Sequence, residues 1–257
     1  MNKKIKILQS KIKKNKLVCL TSYSYSISKI LDNYCDIILV GDSLANVLYG
    51  MKNIRKITLD TIINHAKSVR AGVKKALMVV DMPANTYRNP KTALKNAKKI
   101  IKATNCDAIK IESNWKNNNI IKVLIKSKIN VMSHIGYTPQ FNKRFKVFGK
   151  THSEQTKLLR LAKEIEKSGA FSIVLECINS STAKKITETT KIPTIGIGSS
   201  KYCNGQILVT DDIIGMSGFY PKFIKKYANT SKIVKKAVYE FSKEVKNNKF
   251  PKRKNSF

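Results

Sequence analysis

The chain has 257 residues, a length that suits one large α/β domain or one α/β barrel and is short for two full domains. Lys and Arg number 50 against 16 Asp and Glu, which gives a net charge of +34 and favours loose electrostatic attraction to nucleic acid at low salt. Only six of the basic residues are Arg, the residue best suited to bidentate contacts with bases and phosphates, so we expect no specific nucleic-acid function.

Short runs of apolar residues recur along the chain and predict eight β-strands. They cover residues 17–21, 37–40, 76–80, 108–111, 131–133, 172–175, 194–197 and 206–209. The runs are continuously apolar and do not alternate with polar residues. This pattern is typical of parallel strands that are buried on both faces.

Helical periodicity fills the segments between the predicted strands. It covers residues 24–34, 59–71, a stretch that opens at Asn89-Pro90, and 115–126, 154–168, 181–189, 221–227 and 231–246. Thr58 is a candidate N-cap and Gly72 a candidate stop for the second of these helices. The basic segment before Leu17 is expected to add a helix that covers one end of the fold.

Eight repeats of a strand followed by a helix predict a (β/α)8 TIM barrel. A doubly wound open sheet is the alternative, but no G-x-G-x-x-G motif follows the first strand. We find no linker, so residues 1–257 are expected to form a single domain with a short basic N-terminal segment. The Lys-rich residues 249–257 are expected to fray.

Five cysteines and the absence of long apolar stretches predict the compartment. The cysteines form no C-x-x-C pair, which fits reduced thiols in a cytoplasmic protein. The first residues are basic but lack the apolar run of a signal peptide. No apolar stretch is long enough to span a bilayer, so we expect no association with the membrane.

Acidic residues are scarce, yet several of them fall where a predicted strand ends. Asp42, Asp81, Glu112 and Glu176 end or follow strands two, three, four and six, and His134 ends strand five. The carboxyl ends of barrel strands meet at one rim, where the active sites of such barrels lie. A single polar residue at such a position can simply face water, but four carboxylates in a chain this poor in acids favour a functional site.

Carboxylates that converge in a pocket repel each other unless a cation lies among them. Oxygen ligands without a cluster of Cys or His indicate Mg²⁺ or a similar ion in preference to zinc. A fourth carboxylate, set apart from the others, could act as a general base.

Several motifs resemble those of one known family, in the same order. They are Val40-Gly41-Asp42-Ser43-Leu44, His65 to Gly72, Asp81-Met82-Pro83, Lys110-Ile111-Glu112, His134-Ile135-Gly136-Tyr137-Thr138-Pro139-Gln140, Lys146 to Lys150, Val174-Leu175-Glu176-Cys177, Ile192 to Gly198 and Cys203 to Val209. Together they are similar to the ketopantoate hydroxymethyltransferases, and the resemblance covers about residues 17–251. No single motif is specific, but their number and order are.

The resemblance implies a TIM barrel of the phosphoenolpyruvate/pyruvate type. It also implies hydroxymethyl transfer from 5,10-methylenetetrahydrofolate to 3-methyl-2-oxobutanoate, which gives 2-dehydropantoate for pantothenate biosynthesis. By the same resemblance, Mg²⁺ is held by Asp42, Asp81 and Glu112, and the oxo acid is bound by Asp42, Ser43, Asp81, Lys110 and His134. Glu176 is the implied proton acceptor, and a homo-oligomer, the family's decamer, is implied as the assembly.

The sequence departs from the family pattern at several positions, and other functions stay open. Ser113-Asn114 and Ser133 replace common glycines, Phe148 replaces a common Gln, and residues 199–202 are bulkier than usual. The alternatives are a decayed relative without turnover, a Mg²⁺-dependent lyase of the isocitrate lyase kind, and a basic RNA-associated scaffold.

Overall fold

A computed structural model describes residues 2–115, 117–142, 144–218 and 220–257. The chain divides into two compact units, residues 1–209 and residues 210–257. All eight strands lie in the first unit. That one domain spans the whole chain stays a prediction.

Eight parallel strands form a closed barrel in the sequence order β1 to β8. They are β1 Leu17–Thr21, β2 Ile37–Val40, β3 Leu77–Asp81, β4 Ala108–Glu112, β5 Val131–Gly136, β6 Ser172–Glu176, β7 Thr194–Ile197 and β8 Gly205–Leu208. The barrel closes where Leu17 of β1 pairs with Gly205 of β8. The predicted TIM barrel is therefore confirmed, and the open-sheet alternative is wrong.

Helices precede and connect the strands in the first unit, and further helices lie in the second unit. They are α1 Lys3–Lys11, α2 Tyr25–Leu31, α3 Leu44–Val47, α4 Leu59–Gly72, α5 Pro90–Thr104, α6 Asn118–Lys126, α7 His152–Lys167, α8 Ser180–Thr189, α9 Thr210–Ile213 and α10 Thr230–Lys246, with 3-10 turns at Ile54–Lys56 and Arg253–Asn255. Side chains of Thr58, Asn89 and Thr151 accept hydrogen bonds from the first turns of α4, α5 and α7, so these helices begin at true N-caps.

Two predicted helices differ from the structure. The segment 221–227 is not helical, because the backbone N–H groups of Tyr227 and Ala228 donate to Ile213 of α9 and not to the preceding turn. The helix predicted from residue 115 begins at Asn118, and residue 116 lies outside the described residues.

Strands β3, β4, β5 and β6 extend beyond their predicted ends. They end at Asp81, Glu112, Gly136 and Glu176, because pairing with the neighbouring strands continues that far.

The two-residue period of the strands separates two apolar clusters. In β3, Leu77 and Val79 belong to the cluster inside the barrel, while Met78 and Val80 belong to the cluster under the helices. Asp81 follows Val79 by two residues, so it shares the inward direction. The same spacing applies in β4, β5 and β6, and it decides which polar residues enter the barrel.

Helix α1 covers the amino-terminal end of the barrel, as the basic N-terminal segment predicts. Ile5 and Leu8 are buried and join the apolar cluster inside the barrel. Lys4 donates hydrogen bonds from Nζ to the carbonyls of Lys74 and Ala76 at the start of β3. The opposite rim, at the carboxyl ends of the strands, is left for polar side chains.

The second unit contains α9, α10 and the 3-10 turn near the end of the chain. Within it, the Phe241 and Phe250 rings meet edge to face with centroids 5.4 Å apart. Across the described part of the chain, no helix has both the length and the apolar character that crossing a bilayer requires.

Candidate active site

Polar side chains from four neighbouring strands enter the barrel at its carboxyl end. Lys110 and Glu112 follow Ala108, a member of the interior cluster, by two and four positions. His134 and Glu176 follow the interior residues Met132 and Val174 by two positions. The ladder register pairs Asp81 with Lys110 and Glu112 with His134. These residues, which the sequence singles out by their positions at strand ends, are brought together by the structure.

Lys110 and Asp81 form a buried ion pair, with Nζ and Oδ1 2.7 Å apart and side chains 7% and 2% exposed. Burial alone would lower the pKa of Lys110, but the carboxylates of Asp81, Asp42 and Glu112 outweigh it and raise the pKa. Lys110 is therefore a fixed cation. Oδ2 of Asp81 accepts the backbone N–H of Asp42 at 3.0 Å, which ties the loop after β2 to the end of β3.

Asp42 and Glu112 are held by one residue, Gln140. The Gln140 side-chain amide donates to Asp42 Oδ2 at 2.7 Å and to the Met82 carbonyl at 3.1 Å, and its backbone N–H donates to Glu112 Oε2 at 2.9 Å. Tyr87 donates its hydroxyl proton to the amide oxygen of Gln140. Every polar atom of the Gln140 side chain is thus used, and its orientation is fixed.

Sequence reasoning assigned no role to Gln140 or Tyr87. Gln140 ends the motif that begins at His134, so a signal was present, but the motif does not show which way the side chain points. Tyr87 belongs to no motif that the sequence singled out. Their roles arise from contacts between segments far apart in the chain.

Burial and mutual repulsion act on the carboxylates. Burial raises the pKa of Asp42 to about 7, and the neighbouring Asp81 adds to the rise, while Lys110 and Gln140 oppose it. Burial likewise raises the pKa of Glu112 well above its ordinary value, with Asp42 as the next cause. Ionisation of all these carboxyls would place more negative charge in the site than Lys110 alone balances, so an additional cation would favour their ionised forms.

His134 lies between two carboxylates deep in the barrel. Its Nε2 is 3.2 Å from Glu176 Oε2, and its Nδ1 is 3.8 Å from Glu112 Oε1. Neither ring nitrogen has a well-aligned hydrogen bond to any of the described residues, although the ring is buried. Buried polar atoms without such partners are rare and mark a place where a ligand or water completes the site.

Glu176 differs from the other carboxylates because it is 19% exposed at the side chain. It ends β6 beside Gly136 of β5, whose φ is 98°. A Cβ at Gly136 would lie 2.2 Å from the Glu176 carbonyl oxygen, so only glycine lets the two strands meet there. Glu176 is thus fixed at the barrel mouth, where it can accept a proton from a bound molecule.

Ser43 follows Asp42 and lies at the start of the short helix α3. Its Oγ shares a hydrogen bond of 2.8 Å with the hydroxyl of Tyr23, from the loop after β1. A Cβ at Gly41 would lie 2.9 Å from Ser43 Oγ and 3.5 Å from Asp81 Oδ2. The absence of a side chain at Gly41 therefore keeps the space between these two residues open.

The carboxylates fit Mg²⁺ by their chemistry. In the four described ranges of the chain, no set of three or more His, Cys, Asp or Glu side chains is arranged so that it could hold a metal ion. Lys110 and Gln140 each occupy one oxygen of a carboxylate, on Asp81 and Asp42. Mg²⁺ does not require such a set, because enzymes commonly hold it by one or two carboxylates, with water and substrate oxygens as further ligands.

The five cysteines are free and buried, as the sequence predicts for a reduced protein. Burial raises the pKa of Cys177 to about 12, and the adjacent Glu176 contributes to the rise. A thiol that stays protonated at neutral pH is a poor nucleophile. Cys177 therefore acts as filler beside Glu176.

A comparison with known families decides where this chain belongs. The family model described as ketopantoate hydroxymethyltransferase matches residues 2–253. The chain belongs to this family. Among the similar curated proteins, a 3-methyl-2-oxobutanoate hydroxymethyltransferase of Pelagibacter ubique is 54% identical over 257 residues and covers 100% of both chains. One of Anaplasma marginale is 44% identical over 247 residues, covering 95% of this chain and 89% of its own.

Solved structures agree with the barrel that ketopantoate hydroxymethyltransferases are expected to have. Phosphonopyruvate hydrolase in complex with oxalate and Mg²⁺ aligns with a TM-score of 0.64 at 11% identity, covering 98% of this chain and 93% of its own. A 2,3-dimethylmalate lyase, described as a PEP mutase/isocitrate lyase superfamily member, aligns with a TM-score of 0.62 at 13% identity, covering 100% and 93%. At such identities the likeness concerns the fold alone, and it agrees with the predicted (β/α)8 barrel.

Two departures from the ketopantoate hydroxymethyltransferase pattern contact each other. The hydroxyl of Ser133 donates to the hydroxyl of Ser113 at 2.7 Å, and both residues are buried. In the loop after β7, Ser199 donates to the carbonyl of Ile178 at 3.0 Å. These polar replacements are hydrogen-bonded within the first unit, and neither bond involves the carboxylates of Asp42, Asp81 and Glu112.

Proposed function

We propose that the chain transfers a hydroxymethyl group from 5,10-methylenetetrahydrofolate to 3-methyl-2-oxobutanoate. The product is 2-dehydropantoate, which places the reaction in pantothenate biosynthesis. The observation that carries the proposal is the grouping of Asp42, Asp81 and Glu112 around the cation of Lys110, with Glu176 at the mouth of the same barrel. Family membership supports it, as do the names of the relatives.

The oxo acid binds against the buried end of this site in our proposal. Lys110 and Ser43 face its oxygens, since one is a fixed cation and the other a hydroxyl at a helix start. Asp42 and Asp81 border the same space, and His134 supplies a buried ring that lacks an aligned partner among the described residues. Such a site selects a small anion with a carbonyl group.

Asp42, Asp81 and Glu112 would hold Mg²⁺. When bound, Mg²⁺ polarises the keto and carboxylate oxygens of the oxo acid and makes its C3–H more acidic. Gln140 orients two of these carboxylates, and Lys110 balances part of their charge.

Glu176 removes the C3 proton. A base must lie within hydrogen-bond reach of the proton that it takes, and the partly exposed side chain of Glu176 at the rim is suited to this. The electron pair left on C3 forms the new carbon–carbon bond to the methylene carbon of the donor, while one of the two C–N bonds of that carbon breaks and the released nitrogen takes a proton. Water then displaces the second nitrogen, which also takes a proton, and this gives the hydroxymethyl group and tetrahydrofolate.

The resemblance also underlies two proposals, one about the compartment of the enzyme and one about its oligomeric state. We expect it to act in the cytoplasm, and we expect it to assemble as a homo-oligomer, the decamer of its family. Its strong positive charge helps to attract an anionic oxo acid and an anionic folate, and salt screens this attraction.

A coupled assay tests the proposal. The purified protein is supplied with 3-methyl-2-oxobutanoate, methylenetetrahydrofolate and Mg²⁺, and 2-dehydropantoate is measured by mass spectrometry. We expect product that disappears when either substrate is omitted or the metal is chelated. A folded protein that binds the oxo acid and forms no product would support the decayed-relative alternative. Cleavage of a 2-hydroxy dicarboxylic acid in its place would support the lyase.

A further inference from the structure

A second cavity lies beside the carboxylate site, on the loops after β3, β4 and β5. Its volume is about 650 Å³, within the range of ~300–1,000 Å³ that is usual for pockets that bind small molecules. We call it the rim cavity and define it by Asn85, Arg88, Trp115, Gln140 and Phe141, which line it.

Aromatic side chains form much of the rim cavity. Trp115 is 46% exposed and Phe141 is 48% exposed, values that are high for rings of this size. Phe141 is held edge to face against Tyr87, with ring centroids 6.4 Å apart. The guanidinium of Arg160 lies 5.6 Å from the centre of the Trp115 ring and supports it. These rings are positioned by neighbours, yet they keep free faces on which a planar ligand can stack.

Arg88 supplies the charge. Among the described residues that line the rim cavity, it is the one charged side chain. Its Nε and Nη2 donate to Asn85 Oδ1 at 3.2 and 3.0 Å, which fixes the guanidinium in one orientation. Arginine has five N–H donors, so these two bonds leave donors for a carboxylate.

Gln140 connects the rim cavity to the carboxylate site. It lines the cavity and donates to Asp42. Gln140 therefore borders both the rim cavity and the carboxylate site. This position suits a second substrate that must bring a carbon atom to the first.

We propose that the rim cavity binds the pterin ring and the carboxylate tail of the reduced folate donor. The ring lies against Trp115 and Phe141, and the tail lies at Arg88. This inference rests on the proposed function. The small oxo acid has no ring and would leave such a cavity mostly empty. An anionic molecule that carries flat aromatic groups, as a reduced folate does in its pyrimidine and aminobenzoyl rings, matches both the rings of the cavity and its single positive charge.

The sequence offers a direct test, because Trp115 is the only tryptophan in the chain. Its fluorescence is titrated with 5-formyltetrahydrofolate, a stable reduced folate, and we expect saturable quenching. Arg88→Gln and Phe141→Leu should weaken the dissociation constant roughly tenfold each, the usual effect of losing a charge-assisted hydrogen bond or a stacking partner. Tyr34→Leu and Lys13→Gln, which remove an exposed ring and an exposed charge at the amino-terminal end of the barrel, are the controls and should bind like the wild type.

Steady-state kinetics separate this inference from the proposed function. Arg88→Gln, Phe141→Leu and Trp115→Leu should raise KM for the folate donor and leave KM for the oxo acid unchanged. Turnover with unchanged donor KM in all three variants would overturn the inference while the proposed function stands. Folate binding that is weakened by the variants, in a protein without turnover, would sustain the inference about the cavity and overturn the proposed function.

Discussion

The side-chain amide of Gln140 donates a hydrogen bond of 2.7 Å to Oδ2 of Asp42, joining residues that are 98 positions apart in the chain. The same residue holds Glu112 through its backbone N–H. Two acids of the site are thus oriented by one residue that is not itself acidic. Residues that orient metal-binding carboxylates in this way affect affinity and rate nearly as strongly as the ligands.

Gln140→Leu should therefore lower both Mn²⁺ affinity and kcat/KM by roughly 10- to 100-fold, because Asp42 loses its partner while the backbone bond to Glu112 remains. Mn²⁺ affinity is measured by electron paramagnetic resonance without substrates, and turnover by the coupled assay. Gln155→Leu on α7 removes an amide that bonds Thr182 and is the matched control. Wild-type Mn²⁺ affinity in Gln140→Leu would contradict the positioning role.

Lys110 is expected to stabilise the fold as well as to take part in binding. Lys110→Met leaves buried carboxylates without their cation and should cost about 3–5 kcal/mol in the free energy of unfolding. Adding Asp81→Asn should restore part of that stability but not turnover, since Asp81→Asn also weakens binding of metal and oxo acid. Urea denaturation gives the free energies.

The exposed pair of Lys99 and Asp60, 2.6 Å apart, serves as the control for that experiment. Lys99→Met should change the free energy of unfolding by less than about 1 kcal/mol. If Lys110→Met is as stable as Lys99→Met, the charge of Lys110 does not balance the buried acids.

Glu176→Gln should remove the proton acceptor and keep the shape of the site. We expect kcat to fall by roughly 10²- to 10⁴-fold, while the Mg²⁺-dependent binding of the oxo acid stays within a factor of about three. Calorimetry measures the binding, and hydrogen–deuterium exchange at C3 of the oxo acid reports proton removal directly. Glu188→Gln, at a side chain 57% exposed on α8, is the control. Exchange at the wild-type rate in Glu176→Gln would assign the base to another residue.

Asp32 provides a test of stability against pH. Burial alone would raise the pKa of Asp32, but hydrogen bonds from the backbone N–H groups of Ala76, Lys74 and Lys75 outweigh it and lower the pKa. A lowered pKa stabilises the fold at pH values above the pKa of the unfolded chain, about 3.9, and this contribution is lost as pH falls through the folded-state pKa.

Asp32→Asn should therefore cost about 1–3 kcal/mol at pH 7, and the difference from wild type should shrink as pH falls below about 4. Urea denaturation across this range measures it. Asp60→Asn, at a side chain that is 75% exposed, should follow the wild type at every pH. A difference between Asp32→Asn and wild type that is the same at pH 7 and pH 3 would rule out the charge of Asp32 as its cause.

The sequence by itself determined the barrel and where its polar residues end the strands. Continuous apolar runs report burial on both faces, which is a local property of each segment, so β1, β2 and β7 were predicted with their observed bounds. The same local pattern placed Asp81, Glu112 and Glu176 at strand ends. Helices with strong caps, such as α4 and α5, were also predicted well because their signals lie within a few residues.

Tertiary structure alone decided how those residues meet. The ladder register sets Asp81 beside Lys110, and no local pattern encodes a register between segments that are separated along the chain. The hydrogen bond from Gln140 to Asp42 and the rim cavity between the loops also depend on segments that are separated along the chain, so no local pattern encodes them. The segment 221–227 shows the opposite case, since its helical pattern is overridden by hydrogen bonds to Ile213. Local apolar patterns and helix caps determine the strands and helices, whereas contacts between distant segments determine which side chains meet in the site.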